Sequence, residues 1–155
     1  MKGIRIGELL VEQGLLSASQ VNTILALQRR SHRPFGDLAE RLYGLSPNAI
    51  EDAWVEQYVR LAGVVDLDEQ EIEIDCLRRI NRRQAWQFHL LPLNQEGSEI
   101  QMATNSDNLV RALNFATRSV EDPVYMVIAE REQLQEFLMK HYPVPRHIAQ
   151  YAETM

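Results

Sequence analysis

A glycine, a serine, an aliphatic residue and a glutamine recur within the first 57 residues at a constant spacing of 29 positions. The matched pairs are Gly7 and Gly36, Ser17 and Ser46, Val21 and Ile50, and Gln28 and Gln57. A fixed offset without a gap is typical of a duplicated supersecondary unit. Because polar and conformationally special residues recur along with apolar ones, the duplication predicts more than a stacked pair of helical hairpins.

These residue types suit ligand binding better than catalysis. The guanidinium of Arg5, at the start of the first copy, can stack on a planar ring or make bidentate hydrogen bonds to a phosphate. A glycine at a helix start lets a ligand approach the backbone, whose free N–H groups favour an anion. A glutamine offers both a donor and an acceptor. The sequence pairs no nucleophile with a base, so we do not expect an enzyme.

Helical hairpins are predicted to position these residues. Ser17 and Gln20 form a capping box, which predicts a helix that runs to about Arg30. Ser46 and Pro47 suit the start of another helix, which Gly63 would end. Shorter helices are predicted before each long one, at 7–13 and 36–43.

After Gly63 the pattern changes to strands mixed with helices. Strands are predicted at 89–93, 100–104 and 123–129, with a short strand or extended segment at 64–67 and a hairpin loop at 94–99. Helices are predicted at 74–80, 83–88, 106–118 and 130–142. The predicted fold class is therefore α+β. We expect an all-helical subdomain of tandem hairpins at 1–63, a small sandwich-like α/β subdomain of about three strands at 64–142, and a C-terminal tail at 143–155, with or without a short helix.

Composition and charge exclude several function classes. The chain has 155 residues, of which 45% are hydrophobic and 25% charged, as in an ordinary soluble globular protein. A net charge of −6 argues against general binding of DNA or RNA, since a phosphate backbone requires a basic surface. Residues 1–33 nevertheless sum to +3 and the remainder to −9, so a small anion could be held near the first copy.

The cysteine count, the histidine spacing and the hydropathy pattern indicate the cellular compartment and exclude some kinds of site. Cys76 is the only cysteine, and the four histidines lack ligand spacing, so neither a disulfide nor a metal site is predicted. No stretch approaches about twenty uninterrupted apolar residues, and the start lacks a signal peptide, so no membrane span is expected. These features favour a cytoplasmic protein.

The first copy, Arg-x-Gly-x-x-Leu-Val-x-x-Gly followed by Val21, Leu25 and Gln28, resembles the MshEN motif. That motif belongs to N-terminal domains of type II secretion and type IV pilus assembly ATPases. In that family, two motifs of 24 residues are separated by five, as are residues 5–28 and 34–57 here. The runs at 91–93 and 100–104 resemble the α+β part of the same domains. The sequence has no phosphate-cradling GxxxxGK[ST] loop, so ATP hydrolysis is not expected.

The resemblance implies a site for cyclic di-GMP, which presents two purine faces, two purine edges and two phosphates. The implied ligand-binding residues are Arg5, Ile6, Gly7, Val21, Leu25 and Gln28 from the first copy, and Phe35, Gly36, Asp37, Ile50, Trp54 and Gln57 from the second. The glutamines would pair with guanine edges, the apolar side chains would form walls for the rings, and Asp37 would accept from a guanine N–H.

The second copy departs from the motif, and this leaves alternatives open. Pro34 replaces the basic start, Ala39 and Glu40 replace a Leu-Val pair, and Tyr43-Gly44 shifts a glycine by one position. Trp54 would either stack on a guanine or fill the pocket. The apolar residues at helical spacing are also typical of a core, and the glutamines of solvated helix ends.

Two functions are therefore weighed. The first is a non-catalytic sensor that binds cyclic di-GMP and passes a conformational bias to secretion or pilus machinery, such as an ATPase motor or a platform protein. The second is a protein-interaction adaptor of the same fold, with an empty site, that docks on an inner-membrane platform component.

Overall fold

The computed structural model describes residues 5–154, with side chains through Gln150. The chain divides between Leu61 and Ala62 into two compact units. Among the helices of the described residues, none has both the length and the apolarity that a membrane-spanning segment requires.

The first unit is built from helices joined by short connections. Its helices are α1 (Ile6–Glu12), α2 (Ala18–Ser31), α3 (Phe35–Tyr43) and α4 (Pro47–Ala62). The predicted capping box is confirmed, since Ser17 Oγ accepts from Gln20 N and the Gln20 side chain accepts from Ser17 N. Ser46 Oγ likewise accepts from Ala49 N at the start of α4. The sequence therefore specifies the beginning of both long helices locally.

The core of the first unit repeats the 29-residue spacing. Its buried residues are Leu9, Leu10, Leu16, Ile24, Leu38, Ala39 and Ala53. Six of them form three pairs at that spacing, Leu9 with Leu38, Leu10 with Ala39, and Ile24 with Ala53. The duplication thus extends from the polar positions to the packed interior.

The second unit contains a four-stranded sheet in the order β1-β4-β3-β2. Its strands are β1 (Val64–Val65), β2 (Leu91–Glu96), β3 (Glu99–Thr104) and β4 (Val124–Ala129). β1 and β3 both run parallel to β4, whereas β2 runs antiparallel to β3. The helices are α5 (Ile74–Leu77), α6 (Arg82–Phe88), α7 (Leu109–Ser119), α8 (Arg131–His141) and α9 (Arg146–Thr154). The predicted α+β class is confirmed.

Several local features differ from those predicted. The predicted loop at 94–99 is largely strand, because β2 continues to Glu96 and a tight turn at Gly97, with φ of 60°, leads directly into β3. His89 does not begin a strand but ends α6 in the left-handed conformation. By contrast, the short strand that was one of the two alternatives at 64–67 is confirmed over Val64–Val65, which pair with β4 and give the sheet four strands rather than about three. The short helix that was allowed in the tail is also present, as α9, and its Ala149 is buried.

A buried hydrogen bond ties α6 to the end of α8. Trp86 is 4% exposed, and its indole Nε1 donates to the carbonyl oxygen of Tyr142 at 2.8 Å. The Tyr142 hydroxyl in turn donates to the carbonyl oxygen of Leu77, at the end of α5. Burial raises the pKa of the Tyr142 hydroxyl, which therefore remains a donor.

Candidate functional site

The glycine near the start of each short helix packs against the aliphatic residue 14 positions later. A Cβ on Gly7 would lie 2.9 Å from Cγ1 of Val21, and a Cβ on Gly36 would lie 2.6 Å from Cγ2 of Ile50. Real Cβ atoms do not approach other carbons this closely, so a larger residue would force the helices apart. Each copy therefore uses its glycine for the same close contact between a short helix and a long one.

The backbone that leads into each short helix is also duplicated. Arg5 caps α1 with φ of −74° and ψ of 149°, and Pro34 caps α3 with φ of −57° and ψ of 147°. The carbonyl oxygen of Arg5 accepts from Leu9 N at 3.0 Å, and that of Pro34 accepts from Leu38 N at 3.3 Å. Proline fits this position because its ring fixes φ near −65°. The two copies thus match in backbone but differ in side chain.

Phe35 joins the first copy to the second. Its Cζ atom lies 3.2 Å from the position that a Cβ on Gly7 would occupy. Four predicted wall residues are half-buried and pack against the core of the first unit: Ile6, Val21, Phe35 and Ile50. The structure therefore brings these four residues together with the two glycines, and it gives them a packing role as well.

The other predicted site residues lie further out. Arg5 is exposed, Gln28 and Gln57 are half-buried in α2 and α4, and Leu25 is 38% exposed. Trp54 is half-buried, and its ring lies 5.6 Å from that of Tyr58 with an interplanar angle of 36°. These positions do not by themselves establish a groove shared by Arg5, Gln28 and Gln57, so their convergence on a ligand stays a prediction.

Asp37 is engaged by two arginines that the sequence analysis did not assign to the site. Arg33 Nη1 lies 3.3 Å from Asp37 Oδ2, and Arg41 Nε lies 3.2 Å from the same oxygen. Partial desolvation acts to raise the pKa of Asp37, but the hydrogen bonds from Arg41 and Arg33 outweigh it and hold the pKa below its usual value. The spacing of four residues on either side of Asp37 was the sequence signal for these ion pairs.

A second group of charges links α1 to α4. Arg60 Nη2 lies 3.2 Å from Glu12 Oε1 and 2.8 Å from Glu56 Oε1, and Gln13 Nε2 donates to Glu56 Oε2 at 2.8 Å. The hydrogen bond and charge of Arg60 lower the pKa of Glu12. These contacts fasten the first copy's short helix to the second copy's long helix on the surface.

A groove of about 560 Å³ in the second unit is acidic, unlike the anion-binding site predicted for the first unit. It is lined by Val64, Val65, Asp66, Asp68, Glu130, Glu132, Gln133 and Glu136. Five carboxylates repel an anion, and none of the predicted ligand-binding residues lines this groove. The described residues also contain no group of three or more His, Cys, Asp or Glu side chains that could hold a metal ion.

Comparison with protein families shows which family the chain belongs to. The model of the MshEN domain matches residues 59–148, more than half of the chain. The chain belongs to the MshEN domain family. The match begins within α4 and covers most of the second unit, so the tandem copies at 5–57 lie outside it.

One solved structure supports this MshEN fold. A structure of MshE with cdg is 24% identical, covers 90% of this chain and 99% of its own, and superposes with a TM-score of 0.51. The N-terminal domain of XpsE is 19% identical, covers 92% of this chain and 99% of its own, and gives a TM-score of 0.45. No curated protein gives a significant match to the sequence. At these identities the MshE structure shows the fold of this MshEN domain and nothing finer.

Proposed function

We propose that this MshEN domain is a non-catalytic regulatory domain that binds cyclic di-GMP through the duplicated helices of its first unit. The observation that carries the proposal is the repeated packing of Gly7 on Val21 and of Gly36 on Ile50. Similar backbone geometry at the start of both short helices gives the two copies the same framework. MshE was solved with cdg, an abbreviation of cyclic di-GMP. The likeness of this chain to MshE therefore supports the choice of ligand.

A duplicated surface matches the chemistry of this ligand. Cyclic di-GMP carries two guanines and two phosphates, so a protein that repeats its recognition residues can treat both halves alike. Gln28 and Gln57 stand at equivalent positions, and each offers the donor and acceptor that a guanine edge requires. Arg5 is exposed at the start of α1, where its guanidinium can reach a phosphate or stack on a base.

The exposure of the apolar residues supports the same proposal. Leu25 is 38% exposed although it follows the fully buried Ile24, so it is not a core residue. Trp54 is also incompletely buried and lies beside Tyr58. A purine ring covering these side chains would remove apolar surface from water, which contributes to affinity.

A second candidate, an interaction adaptor with an empty site, is favoured by one observation. The family match at residues 59–148 contains none of the proposed ligand-binding residues. It therefore assigns the chain to the family but gives no support for a ligand. Under this alternative, the second unit docks on secretion or pilus machinery and the first unit only supports it. In the preferred proposal, the same machinery receives the bias that ligand binding creates.

Calorimetric titration with cyclic di-GMP separates the two functions. We expect a dissociation constant of about 1 μM or lower, which corresponds to about −8 kcal/mol. Arg5→Ala and Gln28→Ala are each expected to weaken binding by about tenfold or more, because each removes a direct contact. Arg30→Ala is the matched control, since it removes an exposed arginine of the same unit that has no assigned role.

The titration also has a clear contrary result. A folded chain that gives no heat change at ligand concentrations of about 1 mM would contradict cyclic di-GMP binding and favour the adaptor. Equal weakening by Arg30→Ala and Arg5→Ala would show that only the general charge of the unit matters.

A further inference from the structure

The second copy lacks a cation at the position equivalent to Arg5. That position is occupied by Pro34, which has the same capping geometry at the start of α3. A ligand with two phosphates would therefore meet a guanidinium in the first copy and a proline ring in the second. Arg33 lies one residue before this proline, with a side chain that is 47% exposed.

Arginines that the first copy lacks at the equivalent positions lie on both sides of Asp37. Asp37 is equivalent to Glu8 in the first copy, and Arg41 is equivalent to Glu12. Residues 4–12 of the first copy thus combine one arginine with two carboxylates, whereas the equivalent residues 33–41 combine two arginines with two carboxylates, Asp37 and Glu40. The formal charge is therefore zero over residues 33–41 and −1 over residues 4–12, so in spite of Pro34 the second copy repels an anionic ligand no more than the first.

Of the two arginines, only Arg33 lies at the start of α3. Arg41 is in the last turn of the nine-residue helix, at the end where backbone carbonyl groups are unpaired. A phosphate is attracted to the helix start, where free N–H groups and the positive end of the helix dipole lie. A guanidinium directly before that start can add bidentate hydrogen bonds to the same phosphate.

Arg33 is also held loosely enough to change partner. Its single contact with Asp37, at 3.3 Å, lies on the surface, where ion pairs contribute little to stability. Asp37 keeps a cationic partner when Arg33 leaves, because Arg41 contacts the same carboxylate. Release of Arg33 therefore leaves Asp37 with a counter-charge.

We propose that Arg33 binds a phosphate of the cyclic dinucleotide and takes, in the second copy, the role that Arg5 has in the first. The inference rests on the proposed function of the first unit. In the free protein Asp37 holds Arg33 beside the site, and in the complex the guanidinium transfers from Asp37 to the phosphate while Arg41 continues to neutralise Asp37.

Calorimetry with cyclic di-GMP on matched arginine variants tests this role. Arg33→Ala is expected to weaken binding by about tenfold or more, whereas Arg41→Ala, which removes the other ion pair of Asp37, stays within about threefold of the unaltered chain. Arg33→Lys is expected to fall between them, because an ammonium keeps the charge but not the bidentate geometry. Urea unfolding midpoints of all three variants should match that of the unaltered chain, since both arginines are exposed.

Each contrary result points to a different failure. If the unaltered chain binds and Arg33→Ala binds within about threefold of it, the role of Arg33 is overturned while the proposed function stands. Equal losses in Arg33→Ala and Arg41→Ala would assign the effect to the Asp37 ion pairs and also overturn it. Absence of binding by the unaltered chain would overturn both proposals together.

Discussion

Trp86→Ala is expected to lower the free energy of unfolding of the second unit by about 3–5 kcal/mol. The indole is 4% exposed, so its removal leaves a large cavity, and the carbonyl oxygen of Tyr142 loses its donor. Urea unfolding followed by far-UV circular dichroism measures the change, since the helices of the second unit contribute to that signal.

The other tryptophan provides a matched control. Trp54 is half-buried in the first unit, and its removal is expected to lower the free energy of unfolding of that unit by less than about 2 kcal/mol. Trp86→Phe retains most of the packing but not the indole N–H, so we expect an intermediate loss of about 1–3 kcal/mol. An unfolding midpoint of Trp86→Ala equal to that of the unaltered chain would contradict the importance of this side chain.

Two neighbouring residues of α2 separate packing from ligand binding. Ile24 is fully buried in the core of the first unit, so Ile24→Ala is expected to lower its free energy of unfolding by about 2–5 kcal/mol. Leu25 is 38% exposed, so Leu25→Ala is expected to cost less than about 1 kcal/mol while weakening cyclic di-GMP binding. Chemical denaturation and calorimetry of both variants measure the two effects.

This pair tests directly whether Leu25 forms part of a ligand wall. Ile24→Ala acts on stability, and its affinity is to be measured under conditions in which the variant remains folded. If Leu25→Ala proved as destabilising as Ile24→Ala, Leu25 would be a core residue and its place in the proposed site would be wrong. Unchanged affinity in Leu25→Ala would remove it from the site without affecting the fold.

Features specified by nearby residues could be predicted from the sequence. Ser17 and Gln20 carry a complete capping box, so the start of α2 follows from a few adjacent residues. The duplication was also visible, because spacing survives in the sequence regardless of how the chain folds. The four half-buried apolar residues near the glycines follow from that spacing and from helical periodicity.

Features that depend on distant residues were harder to predict. At 64–67 the sequence left a strand and an extended segment open, and pairing of Val64 with Ile128, far along the chain, decides for the two-residue strand β1. The turn at Gly97 shortens a predicted loop because cross-strand pairing extends both strands to Glu96 and Glu99. Ala149 is buried, so α9 takes part in packing. The polar residues around Ala149 in the sequence did not indicate this. In each case tertiary contacts outweigh local preference.

The residues of the proposed site also divide into those that could be predicted from the sequence and those that could not. Gly7 and Gly36 were singled out from the sequence, and each has a packing contact that a larger residue would disrupt. Arg33 and Arg41 were not singled out, because their importance arises from a shared contact with Asp37. Whether side chains on separate helices converge on one ligand depends on helix orientation, which spacing alone does not determine.

The central claim is that both copies of the duplicated unit contact one cyclic di-GMP molecule. It is tested most directly by an NMR titration that follows the backbone amides of Gly7 and Gly36 and the side-chain amides of Gln28 and Gln57. We predict that all four signals shift together along a single binding curve, while the amides around the acidic groove of the second unit stay in place. Shifts confined to one copy, or to the second unit, would contradict the claim.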